Sequence, residues 1–76
     1  MIYYKGQQFV PVKGMAEMYY ECDDEANVKR FMTVLEDVGE IERMDNPPMK
    51  RLFRPELLEK VSVEEFDKYW NAGTSS

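Results

Sequence analysis

Cys22 is the first residue whose chemistry suggests a catalytic role, since it is the one cysteine of the 76-residue chain. A cysteine nucleophile needs a base that forms or holds its thiolate. The chain contains no histidine, and the acidic neighbours Glu21, Asp23 and Asp24 disfavour the thiolate. We therefore predict that Cys22 is a small core residue. A single cysteine also cannot form a disulfide within the chain.

The acidic segment after Cys22 has the alternate spacing of a calcium loop. Asp23, Glu25 and Asn27 are separated by one residue each. An EF-hand loop also needs glycine at its sixth position and a bidentate glutamate at its twelfth. Those positions hold Val28 and Val34. The sequence therefore predicts a solvated acidic turn, with no metal and no cofactor.

Paired carboxylates occur at Glu40 and Glu42 and again at Glu64 and Glu65. General acid–base catalysis needs one member of such a pair in an apolar pocket that raises its pKa. The sequence around both pairs is polar, and Glu65 belongs to a helix cap. There is no glycine-rich phosphate loop. We do not expect an enzyme.

A small basic cluster, Lys50, Arg51 and Arg54 around Phe53, is a weak signature of nucleic-acid binding. The chain as a whole carries a formal charge of −5, which opposes binding to phosphates. Residues 21–45 alone hold nine acids against three cations. We therefore do not expect nucleic acid as a partner, and a protein with a basic surface fits the charge better.

The segment 16–35 is predicted to be a β-hairpin that turns at 23–27. Its predicted pairing sets Cys22 opposite Val28, Glu21 opposite Lys29, Tyr19 opposite Phe31 and Met18 opposite Met32. One face is then buried, with Ala16, Met18, Tyr20, Cys22, Val28, Met32 and Val34, interrupted by Arg30. The other face is mixed, with Glu17, Tyr19, Glu21, Lys29, Phe31, Thr33 and Leu35.

The same residues allow a helix over 24–38. Val28, Phe31, Met32, Leu35 and Val38 recur at the spacing of one helical stripe. This alternative implies a ferredoxin-like sandwich. We favour the hairpin because β-branched and aromatic residues are frequent in its second strand.

The remaining segments predict a small antiparallel meander of about four or five strands with a C-terminal helix packed on it, an α+β fold. We expect short strands at 2–4, 8–12, 40–44 and 49–54, with Ile41 opposite Val34, and a helical turn at 55–59. A capping box, Ser62 with Glu65, begins a helix at about 63–70, with Val61 and Phe66 as its hydrophobic staple. Residues 1–73 form one domain, and 74–76 form a flexible tail.

The composition also predicts the cellular compartment of the protein. No apolar run approaches the ~20 residues that span a bilayer. A lone cysteine and the absence of an apolar leader predict a cytoplasmic protein without a membrane partner.

The order of strand, acidic turn, strand and a closing helix with Ser62, Glu65, Phe66 and Trp70 resembles small bacterial and phage proteins. Several of those are of unknown function or protect against toxins. The resemblance covers about the last two thirds of the chain, rests on generic features and carries over no functional residue.

Ten aromatic residues are more than so small a core needs, and tyrosine is enriched at interfaces. We predict a small acidic module that binds a basic partner by occupying its surface, as an inhibitor, immunity-type protein or phage-encoded modulator. The predicted partner-binding residues are Glu17, Tyr19, Glu21, Asp23, Asp24, Phe31, Glu40 and Glu42. The alternatives are a structural or regulatory subunit or homodimer without activity of its own, and a weak single-stranded nucleic-acid binder.

Overall fold

A computed structural model of the chain describes residues 1–12, 14–45, 47, 51–52 and 54–75. Its strands are β1 (Ile2–Val10), β2 (Gly14–Cys22), β3 (Val28–Leu35), β4 (Glu40–Asp45), β5 (Glu59–Val61) and β6 (Thr74–Ser75). A 3-10 helix covers Pro55–Leu57, and the α-helix α1 covers Val63–Ala72.

The strands form one sheet in the order β5-β1-β2-β3-β4-β6. Every pair is antiparallel except β4 with β6. The predicted α+β meander with a C-terminal helix is confirmed. The alternative helix over 24–38 is wrong, because Val28–Leu35 is a strand held between two neighbours.

The N-terminal strand is continuous, which corrects the two short strands predicted around Gly6. Gly6 lies within β1 and pairs with Met18 of β2. A Cβ at this position would lie 3.0 Å from Leu58 Cδ2. The glycine therefore leaves room for the Leu58 side chain and does not break the strand.

The β2–β3 hairpin contains a β-bulge that the sequence did not predict. Cys22 pairs with Val28 as expected, but Glu21 pairs with Arg30, which leaves Lys29 as the extra residue. The predicted pair of Glu21 with Lys29 is wrong for this reason, because a bulge sets two residues against one.

The bulge shifts every later pair of the hairpin by one residue. The observed pairs are Tyr20 with Phe31, Tyr19 with Met32 and Met18 with Thr33. Tyr19 and Phe31 therefore lie on opposite faces, and the predicted mixed face that contained both does not exist.

The next turn follows the prediction, and Val34 pairs with Ile41. Half of the strand predicted at 49–54 lies outside the described residues; within it, Arg51 makes an isolated bridge with Asn27. The helical turn at 55–59 is confirmed as the 3-10 helix. The short strand β5 that follows it was not predicted.

Helix α1 begins as its capping box predicts, since Ser62 Oγ accepts a hydrogen bond from the Glu65 amide at 3.1 Å. Phe66 and Trp70 face the sheet and are buried. They pack against Tyr19, Met32 and Val34 in the main core. Burying each of these large side chains stabilises the fold by about 1.5–3 kcal/mol.

The opposite face of the sheet has a smaller core of Tyr4, Cys22 and Val28. Partly buried residues from the sheet and from the 51–58 segment pack on it: Ile2, Tyr20, Phe31, Leu52 and Leu58. The prediction that Cys22 is a core residue is confirmed, and burial raises the pKa of its thiol to about 11.

After α1, the chain returns to the sheet where a flexible tail was predicted. Thr74 and Ser75 pair with Glu42 and Arg43 as β6. Gly73 permits this approach, because a Cβ there would lie 2.6 Å from Ile41 Cγ2. The Arg43 guanidinium also donates to the Trp70 carbonyl at 2.8 Å, which joins the end of α1 to β4.

Candidate protein-binding surface

Tyr19, the centre of the predicted binding face, lies beneath helix α1. Its side chain is 1% exposed and packs against Phe66 and Tyr69. Its hydroxyl donates to Glu65 Oε2 at 2.9 Å. Burial and the Glu65 carboxylate raise the pKa of the Tyr19 hydroxyl. Tyr19 therefore anchors the helix to the sheet and presents no accessible surface.

Glu21 is also buried and binds within the chain. It accepts two hydrogen bonds from Arg30, one of them from Nε at 2.8 Å, and a third from the Tyr3 hydroxyl at 2.8 Å. The Arg30 guanidinium lies 4.9 Å from the Phe66 ring centre and 4.7 Å from that of Trp70. The bonds from Arg30, the larger influence, and from Tyr3 lower the pKa of Glu21. This cluster is part of the core.

Glu17 lies in a charged groove beside α1, where Lys5 Nζ approaches its carboxylate at 2.7 Å. The groove has a volume of about 460 Å³ and is lined by Lys5, Glu17, Tyr19, Glu36, Glu64, Glu65, Lys68 and Tyr69. The bond from Lys5 lowers the pKa of Glu17, while the bond to Glu17 raises the pKa of Glu36. Lys5 thus pairs with Glu17 and lies 3.9 Å from Glu65, so part of the charge of the groove is compensated within the chain.

Asp23 closes the acidic turn. Its side chain accepts hydrogen bonds from the amides of Glu25 at 2.9 Å and Asn27 at 3.0 Å. These bonds, first of all that from the Asn27 amide, lower the pKa of Asp23. Asp24 is exposed beside it. No group of acids or cysteine in the described part of the chain is arranged to hold a metal ion.

Phe31, Glu40 and Glu42 lie on the face away from α1. Phe31 is half-buried and packs against Tyr20, with ring centres 5.2 Å apart. Glu40 and Glu42 are exposed. The eight predicted residues are thus divided between both faces and the acidic turn, and they do not form one surface.

The predicted basic cluster is only partly described. Lys50 and Phe53 lie outside the described residues. Arg51 and Arg54 are exposed and line a cavity of about 410 Å³. Arg54 Nε also donates to Glu56 at 3.3 Å. These contacts add no support for nucleic-acid binding.

Sequence reasoning missed four exposed apolar side chains, which lie at the ends of the β1–β2 and β3–β4 hairpins. Phe9 and Met15 pair across the first hairpin and are 64% and 47% exposed. Val12 is fully exposed, and Val38 in the second turn is 46% exposed. We call Phe9, Val12, Met15 and Val38 the hairpin end.

Val12 is exposed and strained at the same time. Its φ is 76°, in the left-handed region that β-branched residues rarely adopt. Strain of this kind costs on the order of 1–3 kcal/mol, and it occurs often at functional sites. Val12 is therefore unfavourable at this turn in two respects, its exposed apolar side chain and its strained backbone, and the described fold offsets neither.

The two turns are in contact, and acidic residues surround the hairpin end. A Cβ on Gly14 would collide with the Asp37 carboxylate, so the β3–β4 turn packs directly on the start of β2. Glu36, Asp37 and Glu40 are exposed in or beside that turn. The sequence also places Lys13 between the strands, outside the described residues.

Comparison with protein-family models, curated proteins and solved structures gives no match for this chain. The described residues contain no helix with the length and apolar character that a membrane span requires. The candidate surface therefore depends on geometry alone.

Proposed function

We propose that the chain is a small protein-binding module that acts by occupying a partner's surface through the hairpin end. The observation that carries this proposal is the exposure of Phe9, Val12, Met15 and Val38 together. These side chains lie at the ends of two hairpins whose turns touch at Gly14 and Asp37, and clustered exposed apolar residues mark interaction sites. Such a role suits an inhibitor, an immunity-type protein or a phage-encoded modulator.

The charges beside the hairpin end define the partner's chemistry. Glu36, Asp37 and Glu40 favour a partner that surrounds an apolar cleft with lysine or arginine. Opposite charges at the rim accelerate association and select the partner, while desolvated apolar groups supply affinity. We place this interaction in the cytoplasm, because a free, buried Cys22 suits a reducing compartment.

Random peptides displayed on phage provide a probe that can be used before the natural partner is identified. We expect selection on the wild-type protein to enrich peptides that combine large apolar residues with lysine or arginine. The double variant Val12→Asp/Met15→Asp should weaken their binding by about tenfold or more. High salt should weaken it further, because the acidic rim is exposed.

The matched control is Leu57→Asp, which introduces an acid at a 68% exposed leucine in the 55–58 segment. It should leave peptide binding unchanged. The proposal fails if the enriched peptides bind the hairpin-end variant as tightly as the wild type, or if they lose binding only with Leu57→Asp.

A further inference from the structure

Half of strand β1 is an unpaired sheet edge. Strand β5 pairs with β1 only at Tyr3, Tyr4 and Lys5. Beyond Lys5, the segment 7–10 pairs with β2 on one side, and no strand among the described residues covers its other side. Backbone groups on such an edge can pair with another chain.

Space remains beside the start of this edge, at Gly6 and Gln7. A cavity of about 400 Å³ lies beside β1 and is lined by Lys5, Gly6, Gln7, Leu57, Leu58 and Glu59. The residues before β5 form the 3-10 helix Pro55–Leu57 and do not extend the pairing with β1. Strand β5 therefore begins only at Glu59. Leu57 is 68% exposed at the cavity.

The opposite edge of the sheet is protected in two ways. Strand β4 carries Glu40, Glu42, Arg43 and Asp45, and β6 covers its middle. The β1 segment from Gly6 to Val10 is G-Q-Q-F-V; it has no charge, and no strand of the described chain covers it in this way. Charges on edge strands prevent association, so the contrast identifies β1 as the edge that can pair.

We propose that this edge pairs antiparallel with the same segment of a second copy of the chain, about a twofold axis at Gln8. Identical antiparallel strands pair so that residues on the same face oppose each other, and centring the pair on the middle of the uncharged segment 6–10 sets Gln8 opposite Gln8 and Gln7 opposite Phe9. A charged residue at position 8 would face the same charge on the second copy. The uncharged segment thus fits a second copy of a protein whose net charge is −5.

The pairing joins two six-stranded sheets into one and covers part of the exposed Phe9 side chain. It is weak, because a strand pair this short buries less than the ~1,000 Å² typical of specific interfaces. The association should therefore depend on concentration. The pairing shares Phe9 with the hairpin end, so the two proposals are tested at different residues: Gln8 for the pairing, and Val12 and Met15 for partner binding.

Charge exchange at Gln8 tests the pairing directly. Gln8 is exposed, so Gln8→Lys and Gln8→Glu should both fold. In sedimentation experiments over a concentration series, the wild-type mass should rise from 9.0 kDa toward twice that value. Each variant alone should remain a monomer because like charges face each other, and an equimolar mixture should form dimers again.

Met44→Lys is the control. It adds a charge at the exposed Met44 of β4, which lies toward the opposite edge of the sheet from β1. It should associate as the wild type does, and so should Val12→Asp/Met15→Asp. The proposal is overturned if the wild type stays at 9.0 kDa at every concentration. It is also overturned if Gln8→Lys associates unchanged or if Met44→Lys alone abolishes association.

Discussion

At the scale of single residues, Glu21 and Arg30 show how a bulge changes the role of a side chain. Regular pairing would set Glu21 against Lys29 as a surface charge pair. The bulge instead sets it against Arg30, beneath the rings of Phe66 and Trp70. Each charge is thereby satisfied inside the chain, and loss of one removes the closest partner of the other.

We expect Glu21→Gln to lower the free energy of unfolding by about 2–3 kcal/mol, because the half-buried Arg30 guanidinium loses its closest carboxylate and keeps only Asp67, at 3.9 Å. Urea denaturation monitored by circular dichroism measures the change. Glu56→Gln removes an exposed partner of Arg54 and should leave stability within error of the wild type. Equal losses in the two variants would show that the Glu21 pair has no special role.

At the scale of elements, features set by residues close in sequence were predictable, and features set by contacts between distant segments were not. The capping box of α1 depends on Ser62 and Glu65, which lie three residues apart, and the structure has it as expected. The bulge at Lys29 has no sequence signature. Strand β5 has the sequence Glu-Lys-Val, and it is a strand because it pairs with the edge of β1.

The junction between α1 and β6 depends on Gly73. We expect Gly73→Ala to lower the free energy of unfolding by about 1–3 kcal/mol, since its Cβ would meet Ile41 at 2.6 Å and Arg43 at 3.0 Å. Amide hydrogen exchange at Glu42 and Arg43, the β4 residues that pair with β6, should accelerate as β6 separates from β4. Asn71→Ala, at an exposed site of α1, is the control and should change neither quantity. Unchanged exchange in Gly73→Ala would argue against this junction.

At the scale of the whole molecule, the hairpin end is exposed because the helix is shorter than the strands. Ten helical residues span ~15 Å, whereas the nine residues of β2 span ~30 Å. Residues at the far end of the hairpin therefore extend past α1. Alternating apolar residues indicated strands here, but the sequence does not reveal which part of the sheet the helix leaves uncovered.

The acids also act together in the response to pH. The pKa values of Glu17 and Glu21 lie below their ordinary value of 4.5, and that of Asp23 lies below 3.8. Their contribution to stability is present above these ordinary values and is lost as the pH falls through the lower pKa of the folded state. The raised pKa of Glu36 acts in the opposite direction, at an exposed site where solvent screens it.

We therefore expect the free energy of unfolding to fall as the pH decreases below about 4.5, measured by urea denaturation at a series of pH values. The decrease should be smaller in Glu21→Gln, which lacks one of the responsible carboxylates. Constant stability between neutral pH and about pH 3 would contradict this assignment.

The bulge at Lys29 has a consequence for how this sequence can change in length. Deletion of Lys29 alone would make the pairs Cys22–Val28 and Glu21–Arg30 consecutive, and every other side chain would keep its face. Deletion of any residue from Arg30 to Val34 would instead rotate part of β3 to the wrong face. A homologue one residue shorter at this position would thus retain the same core, and an alignment gap there would be the mark of a lost bulge.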